Sequence, residues 1–199
     1  MKLIVIRHGE SEADIRRVCE GRADFPLTAK GLGQARLAAA WIARTYPVDA
    51  VYSSPLLRAR QTAEAISEAA GRSVTELDDL MEFNNGQLAG VPITEVGHRY
   101  PVVPNVPAHD SVYGQETRLE FRFRAERVIS RILYEHPTGH VVLVTHGGMI
   151  NQLFRAFLRL PADYNVWVTT GDTGIHEWVA LEEGRGITCL NSLAHLSGK

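Results

Sequence analysis

The sequence predicts an α/β fold, a three-layer sandwich whose central, mostly parallel sheet is flanked by helices. Three observations carry this reading. Short β-branched runs without polar alternation, Leu3–Ile6 and Val141–Val144, are the pattern of strands buried on both faces of a parallel sheet. Helix-length amphipathic segments separate these runs, and parallel neighbours need such crossovers. Several strands also end on a glycine or a serine pair, where a chain leaves a sheet.

Taken in order, the first strand covers Lys2 to Arg7 and meets Gly9. Thr28 can cap a helix reaching Thr45, with Leu32, Ala35, Ala39 and Ile42 on its apolar positions and Pro47 after the stop. Ala50–Ser53 reads as a second strand, and Pro55 to Ala70 as a helix ended by Gly71. Thr117 to Glu135 forms a long amphipathic helix, closed by Pro137 and Gly139 before a strand from His140 to Thr145. After Pro161, Trp167–Val168, Ile175–Leu181 and Ile187–Leu190 read as strand material, the last two as a hairpin around Glu183–Gly184.

Residues 84–115 break the pattern. They hold Pro92, Pro101, Pro104, Pro107 and four glycines, with one short helix around Ile93 to Arg99. The expectation is a single domain over 1–199 with this stretch as a lid-like insertion.

Composition narrows the function. The chain has 199 residues, 45% hydrophobic and 22% charged, with 21 basic against 23 acidic side chains and a formal charge of −2. Such a balance carries no electrostatic footprint for nucleic acid or anionic lipid, so a small molecule is the expected partner. No apolar run approaches the roughly 20 residues that span a bilayer. Cys19 and Cys189 have no CxxC spacing, and no leader precedes the first strand, which implies a soluble, cytoplasmic protein. There is no HExxH, no Cys/His cluster and no Gly-rich nucleotide loop, so neither metal nor cofactor is expected.

In open α/β sheets ligands bind beyond the carboxyl ends of the strands. Three segments fall there: Arg7-His8-Gly9, Ser53-Ser54-Pro55-Leu56-Leu57-Arg58, and Thr145-His146-Gly147-Gly148. Two histidines and two arginines converging suit a phosphomonoester. Guanidinium forks bind phosphate oxygens two at a time, which gives Arg7 and Arg58 the clamp. A helix opening at Gly147 adds backbone N–H donors. A neutral imidazole attacks phosphorus near neutral pH, the role expected of His8, with His146 supporting the transferred group. The leaving oxygen needs a proton, and Glu82, just before the insertion, is the candidate acid.

The run Arg7-His8-Gly9-Glu10-Ser11 resembles the histidine phosphatase superfamily, which includes cofactor-dependent phosphoglycerate mutases. The resemblance continues through Gly21-Arg22-Ala23-Asp24-Phe25-Pro26-Leu27-Thr28, Ser54-Pro55-Leu56 with Arg58, Glu82-Phe83, Glu116-Thr117 with Arg124, and Thr145-His146-Gly147. It implies a phosphorylated intermediate on His8, a pocket made by Arg7, Arg58 and His146, Glu82 as proton donor, and no metal.

The chain departs from the family pattern at Asp14, commonly Asn, and at Glu20, often Gln, Ser or Thr. With Gly21 and Phe83 these are the candidate substrate-binding residues. Two added carboxylates repel a dianion unless they are turned away, protonated, or paired with Arg16 or Arg17. Asp172 and His176 fall near the same end without an assigned role, and His136, His140 and His195 read as solvent-facing or capping residues. Two competing readings are a phosphoglycerate mutase and a non-catalytic module that binds phosphorylated ligands. The first needs basic residues over the substrate, whereas 84–115 offers only Arg99 beside His98 and His109. The second needs no nucleophile or acid.

Overall fold

The computed structural model describes residues 1–197. A six-stranded sheet runs β1 (Lys2–Arg7), β2 (Ala50–Ser53), β3 (Val74–Glu76), β4 (His140–Thr145), β5 (Ile175–Ala180) and β6 (Arg185–Ser192) in chain order. Across the sheet the order is β3-β2-β4-β1-β5-β6. The first four of these are mutually parallel, and β5 and β6 are antiparallel additions at one edge.

Alternation along the strands divides the core into two layers. Leu3, Val5, Val141 and Leu143 face one side, where they meet α5 (Arg118–Glu135) and α6 (Gly147–Phe157). Ile4, Ile6, Val142 and Val144 face the other, against α2 (Ala29–Thr45) and α3 (Leu57–Ala70). Strands buried on both faces lack polar alternation for this reason. Two short helices, α1 (Glu12–Arg16) and α4 (Ile93–Arg99), lie outside these layers.

Thr28 caps α2 through the Gly31 N–H. Thr117 and Glu120 form a reciprocal capping box on α5. Helix α3 begins two residues later than Pro55, because Leu56 has no side-chain acceptor. The Leu57 N–H donates instead to Asp24 Oδ1, 2.6 Å away on a distant loop.

Trp167–Val168 is not a strand. The Asn151 side chain takes both backbone groups of Val168, accepting from its N–H at 2.7 Å and donating to its carbonyl at 3.2 Å. A side chain thereby replaces the ladder. Strand β3 and helix α1 went unforeseen. Both are short, and β3 has one apolar residue, the half-buried Val74, before the exposed Thr75 and Glu76. His195 is buried rather than solvent-facing, with its ring Nε2 2.8 Å from Thr173 Oγ1.

Within 84–115 the chain forms α4 and a 3-10 turn at Gly86–Leu88. It is laced to the loop after α1: Cys19 N–H donates to Val91 O, Gly90 N–H to Cys19 O, and Ile93 N–H to Arg17 O. Among the described residues no helix is long and apolar enough to cross a membrane.

Candidate active site

Strands β1 and β4 are adjacent and in register, with Arg7 opposite Thr145. The next residue on each, His8 and His146, therefore leaves the sheet at the same level. Their ring centroids lie 5.1 Å apart and both side chains are buried.

The protonation state of His8 follows from its contacts. Nδ1 lies 2.8 Å from the Gly9 carbonyl oxygen, which can only accept, so Nδ1 carries the hydrogen. That leaves a lone pair on Nε2, where Arg58 Nε–H points from 3.3 Å. Burial, and then the charges of Arg58 and Arg7, hold His8 well below the ordinary histidine pKa. A neutral imidazole thus presents Nε2 beside a cation.

Arg58 is fully buried. Its Nη1 donates to Ala23 O at 3.0 Å and its Nη2 to Gly21 O at 2.8 Å. Those two nitrogens hold the 21–23 loop, and Nε alone faces His8 and Glu20, so the expected two-oxygen clamp is absent as the site stands. Gly21, at φ 49°, supplies the left-handed backbone that brings its carbonyl to Arg58. Arg7 reaches Thr170 O at 3.2 Å, Asp172 at 3.4 Å and Asp14 at 3.7 Å.

His146 stands at the N-cap position of α6 without a side-chain cap. Its Nε2 lies 2.8 Å from Ser54 Oγ at the end of β2, while its buried Nδ1 has no hydrogen-bond partner among the described residues. Burial, Arg58, His8 and Arg7 all lower its pKa well below the usual value. Gly147 follows as the first residue of α6, where a backbone N–H has no intrahelical acceptor.

Glu82 approaches from the far side of β4. Its Oε2 accepts from the Gly148 N–H and its Oε1 from the Phe83 N–H, both at 2.8 Å. A Cβ on Gly148 would collide with this carboxyl group, so the approach requires glycine there. The carboxyl group is aimed by a buried ion pair. Arg124 binds Glu116 through Nη2 at 2.7 Å and Nε at 3.1 Å. Its Nη1 donates to Asp79 O and Met81 O, and Nη2 also to Glu82 O. This guanidinium holds three carbonyls of the 79–82 segment, with Thr145 Oγ1 donating to Leu80 O at 2.6 Å and Arg22 Nε to Glu82 O at 3.4 Å.

The family model of the histidine phosphatase superfamily, branch 1, matches residues 3–192. The chain belongs to the histidine phosphatase superfamily. An uncharacterized phosphatase of Bacillus subtilis is 33% identical over 150 residues, 75% of this chain and 73% of that protein. A probable phosphoglycerate mutase of Salmonella paratyphi A is 32% identical over 168 residues, 81% and 77% of the two chains. Among solved structures, that of a putative α-ribazole-5′-P phosphatase from Escherichia coli superposes with a TM-score of 0.85 at 26% identity, covering 96% of both chains.

In this histidine phosphatase the structure gathers His8, Arg7, Arg58, His146, Gly147 and Glu82 at one end of the sheet. Asp14 and Glu20 are not paired with Arg16 or Arg17. Asp14 is the N3 residue of the capping box of α1, accepting from Ser11 N–H, and faces Arg7. Glu20 faces Arg58 and His8. Arg16 pairs with Glu12 instead. Phe83 packs edge-on against Phe121 at 5.3 Å and also borders a cavity within the insertion. His176 stands behind the site, its Nε2 3.1 Å from Thr170 Oγ1, and burial pulls its pKa down to about 4. Sequence reasoning missed Ser11 and Ser54. Each stands inside a quoted motif, and only the packing turns Ser54 toward the His146 ring and Ser11 toward the Glu20 carboxyl group.

Proposed function

We propose that this chain hydrolyses phosphomonoesters of small metabolites through a covalent phosphohistidine at His8. The observation that carries the reading is the state of that ring: buried, neutral, with Nδ1 engaged by Gly9 O and the Nε2 lone pair facing Arg58. In the first step Nε2 attacks phosphorus as the ester P–O bond breaks, and Glu82 gives its proton to the leaving oxygen. In the second, the Glu82 carboxylate takes a proton from water, whose oxygen attacks phosphorus as the P–N bond breaks, releasing phosphate and free His8. Arg7, Arg58 Nε, the Nδ1 of His146 and the Gly147 N–H are the groups that hold the phosphoryl oxygens.

Residues 84–115 act as a lid in this reading. The cavity they enclose measures about 680 Å³ and is lined by Phe83, Leu88, Val96, Tyr100, Val106 and Tyr113 among others. None of His8, Arg7, Arg58, His146 or Glu82 lines it, and Phe83, next to the proposed acid in sequence, is the lining residue that links it to this scheme, in which its apolar walls favour a leaving group with apolar surface. Gly21, Phe83, Asp14 and Glu20 border the substrate in the same scheme.

A phosphoglycerate mutase must hold a second anionic group. Arg99, the one arginine or lysine of the insertion, instead pairs with Glu95 at 3.4 Å. That favours hydrolysis. The test is p-nitrophenyl phosphate hydrolysis in EDTA: wild type should turn over and His8→Ala should fall by at least about 10³-fold, with loss of the acid-labile phosphoenzyme. Equal rates would leave a binding module. Efficient conversion of 3-phosphoglycerate to 2-phosphoglycerate would instead establish the mutase.

A further inference from the structure

Glu20 lies where a bound phosphoryl group belongs. Its Oε1 is 3.2 Å from Arg58 Nε and its Oε2 is 3.8 Å from His8 Nε2. One carboxyl group thus touches both the cation and the nucleophile that the substrate must reach. Its backbone is fixed from both sides: Cys19 is tied to Val91 and Gly90 by two backbone hydrogen bonds, and Gly21 is held by Arg58.

Ser11 holds the same carboxyl group from another side. Its backbone N–H donates to Asp14 Oδ2 at 2.8 Å, which leaves the hydroxyl hydrogen for Glu20 Oε1 at 2.6 Å. Glu20 is thus an acceptor set between Ser11 and Arg58, in the place of a phosphate oxygen. Burial is the largest influence on its pKa and raises it, Asp14 adds to this, and Arg58, Ser11 and Arg7 oppose it. The charged or titratable groups facing it are Arg58 of α3, Arg7 and the neutral His8 at the end of β1, and Asp14 of α1.

We propose that Glu20 occupies the anion seat of the pocket and that phosphate enters it together with one proton, shared between the Glu20 carboxyl and a phosphate oxygen. The inference rests on the phosphatase reading of the pocket. A dianion set against an ionised carboxylate at contact distance is repelled, whereas one intervening proton converts the contact into a hydrogen bond. Glu20 then decides which total protonation state of the bound ester the pocket accepts. A neutral amide in its place imposes no such condition.

Calorimetric titration with inorganic phosphate tests this directly, using wild type, Glu20→Gln and Glu20→Ala from about pH 5 to about pH 8.5 in buffers of different ionisation enthalpy. The phosphate's own titration is common to all three proteins and cancels in their ratio. Once Glu20 is ionised in the free protein, Kd of wild type over Kd of E20Q should climb toward tenfold per pH unit, and wild type should take up close to one proton more per phosphate. E20A should follow E20Q, and thermal melts confirm that both are folded. A ratio that stays flat with pH, with equal proton uptake, overturns the proposal. The predicted ratio without hydrolysis of any phosphomonoester removes the reaction and leaves the shared seat standing. If none of the three proteins binds phosphate, the pocket reading and the shared seat both fall.

Discussion

Replacing Arg124 with methionine should damage the proposed catalysis through a residue that never touches substrate. Arg124 and Glu116 are both buried, and the guanidinium holds three carbonyls of the 79–82 segment besides its partner carboxylate. Arg124→Met removes this pair, but Glu116 keeps the Asn84 N–H at 2.7 Å and Arg22 at 3.8 Å, so the cost is about 1–3 kcal/mol. For a chain of this size each kcal/mol moves Tm by roughly 2–4 °C, so a drop on the order of 2–12 °C is expected. Glu116→Gln keeps one acceptor oxygen and should cost less, about 1 kcal/mol. The released segment no longer aims Glu82, so kcat/KM for alkyl phosphates should fall by about 10²–10⁴, the usual worth of a general acid. p-Nitrophenyl phosphate, whose leaving group departs readily as an anion, should lose far less. The assay is steady-state kinetics on both ester classes well below the variant's Tm, beside guanidinium denaturation. An equal loss on both classes, or a destabilisation below about 1 kcal/mol, refutes the positioning role.

Two further outcomes follow from local geometry. Gly148→Ala places a Cβ against the Glu82 carboxyl group, so kcat/KM on alkyl phosphates should drop about 10–100-fold, with stability held within about 1 kcal/mol by the better helix propensity of alanine; unchanged kinetics would remove the close contact from the argument. His176 is buried with a folded pKa of about 4, below the roughly 6.5 of an unfolded chain. Below pH 6.5 the unfolded state therefore binds a proton that the native state does not, and stability falls as pH falls, by about 1.4 kcal/mol per unit and about 3 kcal/mol over the window down to pH 4. Denaturation midpoints at pH 7 and pH 5 should show a smaller loss for His176→Gln than for wild type; identical slopes would sink the assignment.

The sheet and its helices were legible because their signals are local. Leu3–Ile6 and Val141–Val144 need only their own side chains to declare buried strands, and Thr28, Thr117 and Gly71 mark helix ends by chemistry within a turn. Strand β3 and the irregular 159–174 segment were not legible. The first carries one apolar residue, Val74, and the second takes its backbone partners from the Asn151 side chain. Ser11 and Ser54 belong to this group too, since a hydroxyl acquires a role only from the ring or carboxylate turned toward it.

By itself the sequence determined the α/β class, the family and the set of groups able to handle a phosphoryl transfer: His8, His146, Arg7, Arg58 and Glu82. It also flagged Asp14 and Glu20 as unusual. Only the tertiary structure decided how those groups are used. Register between β1 and β4 sets the two histidines side by side, Arg58 spends two of its nitrogens on the 21–23 loop, and Glu20 comes to lie beside His8. Residue type fixes what a group can do, but pKa, tautomer and competition for a shared proton depend on distances and burial, and those arise only when segments far apart in the chain are packed together.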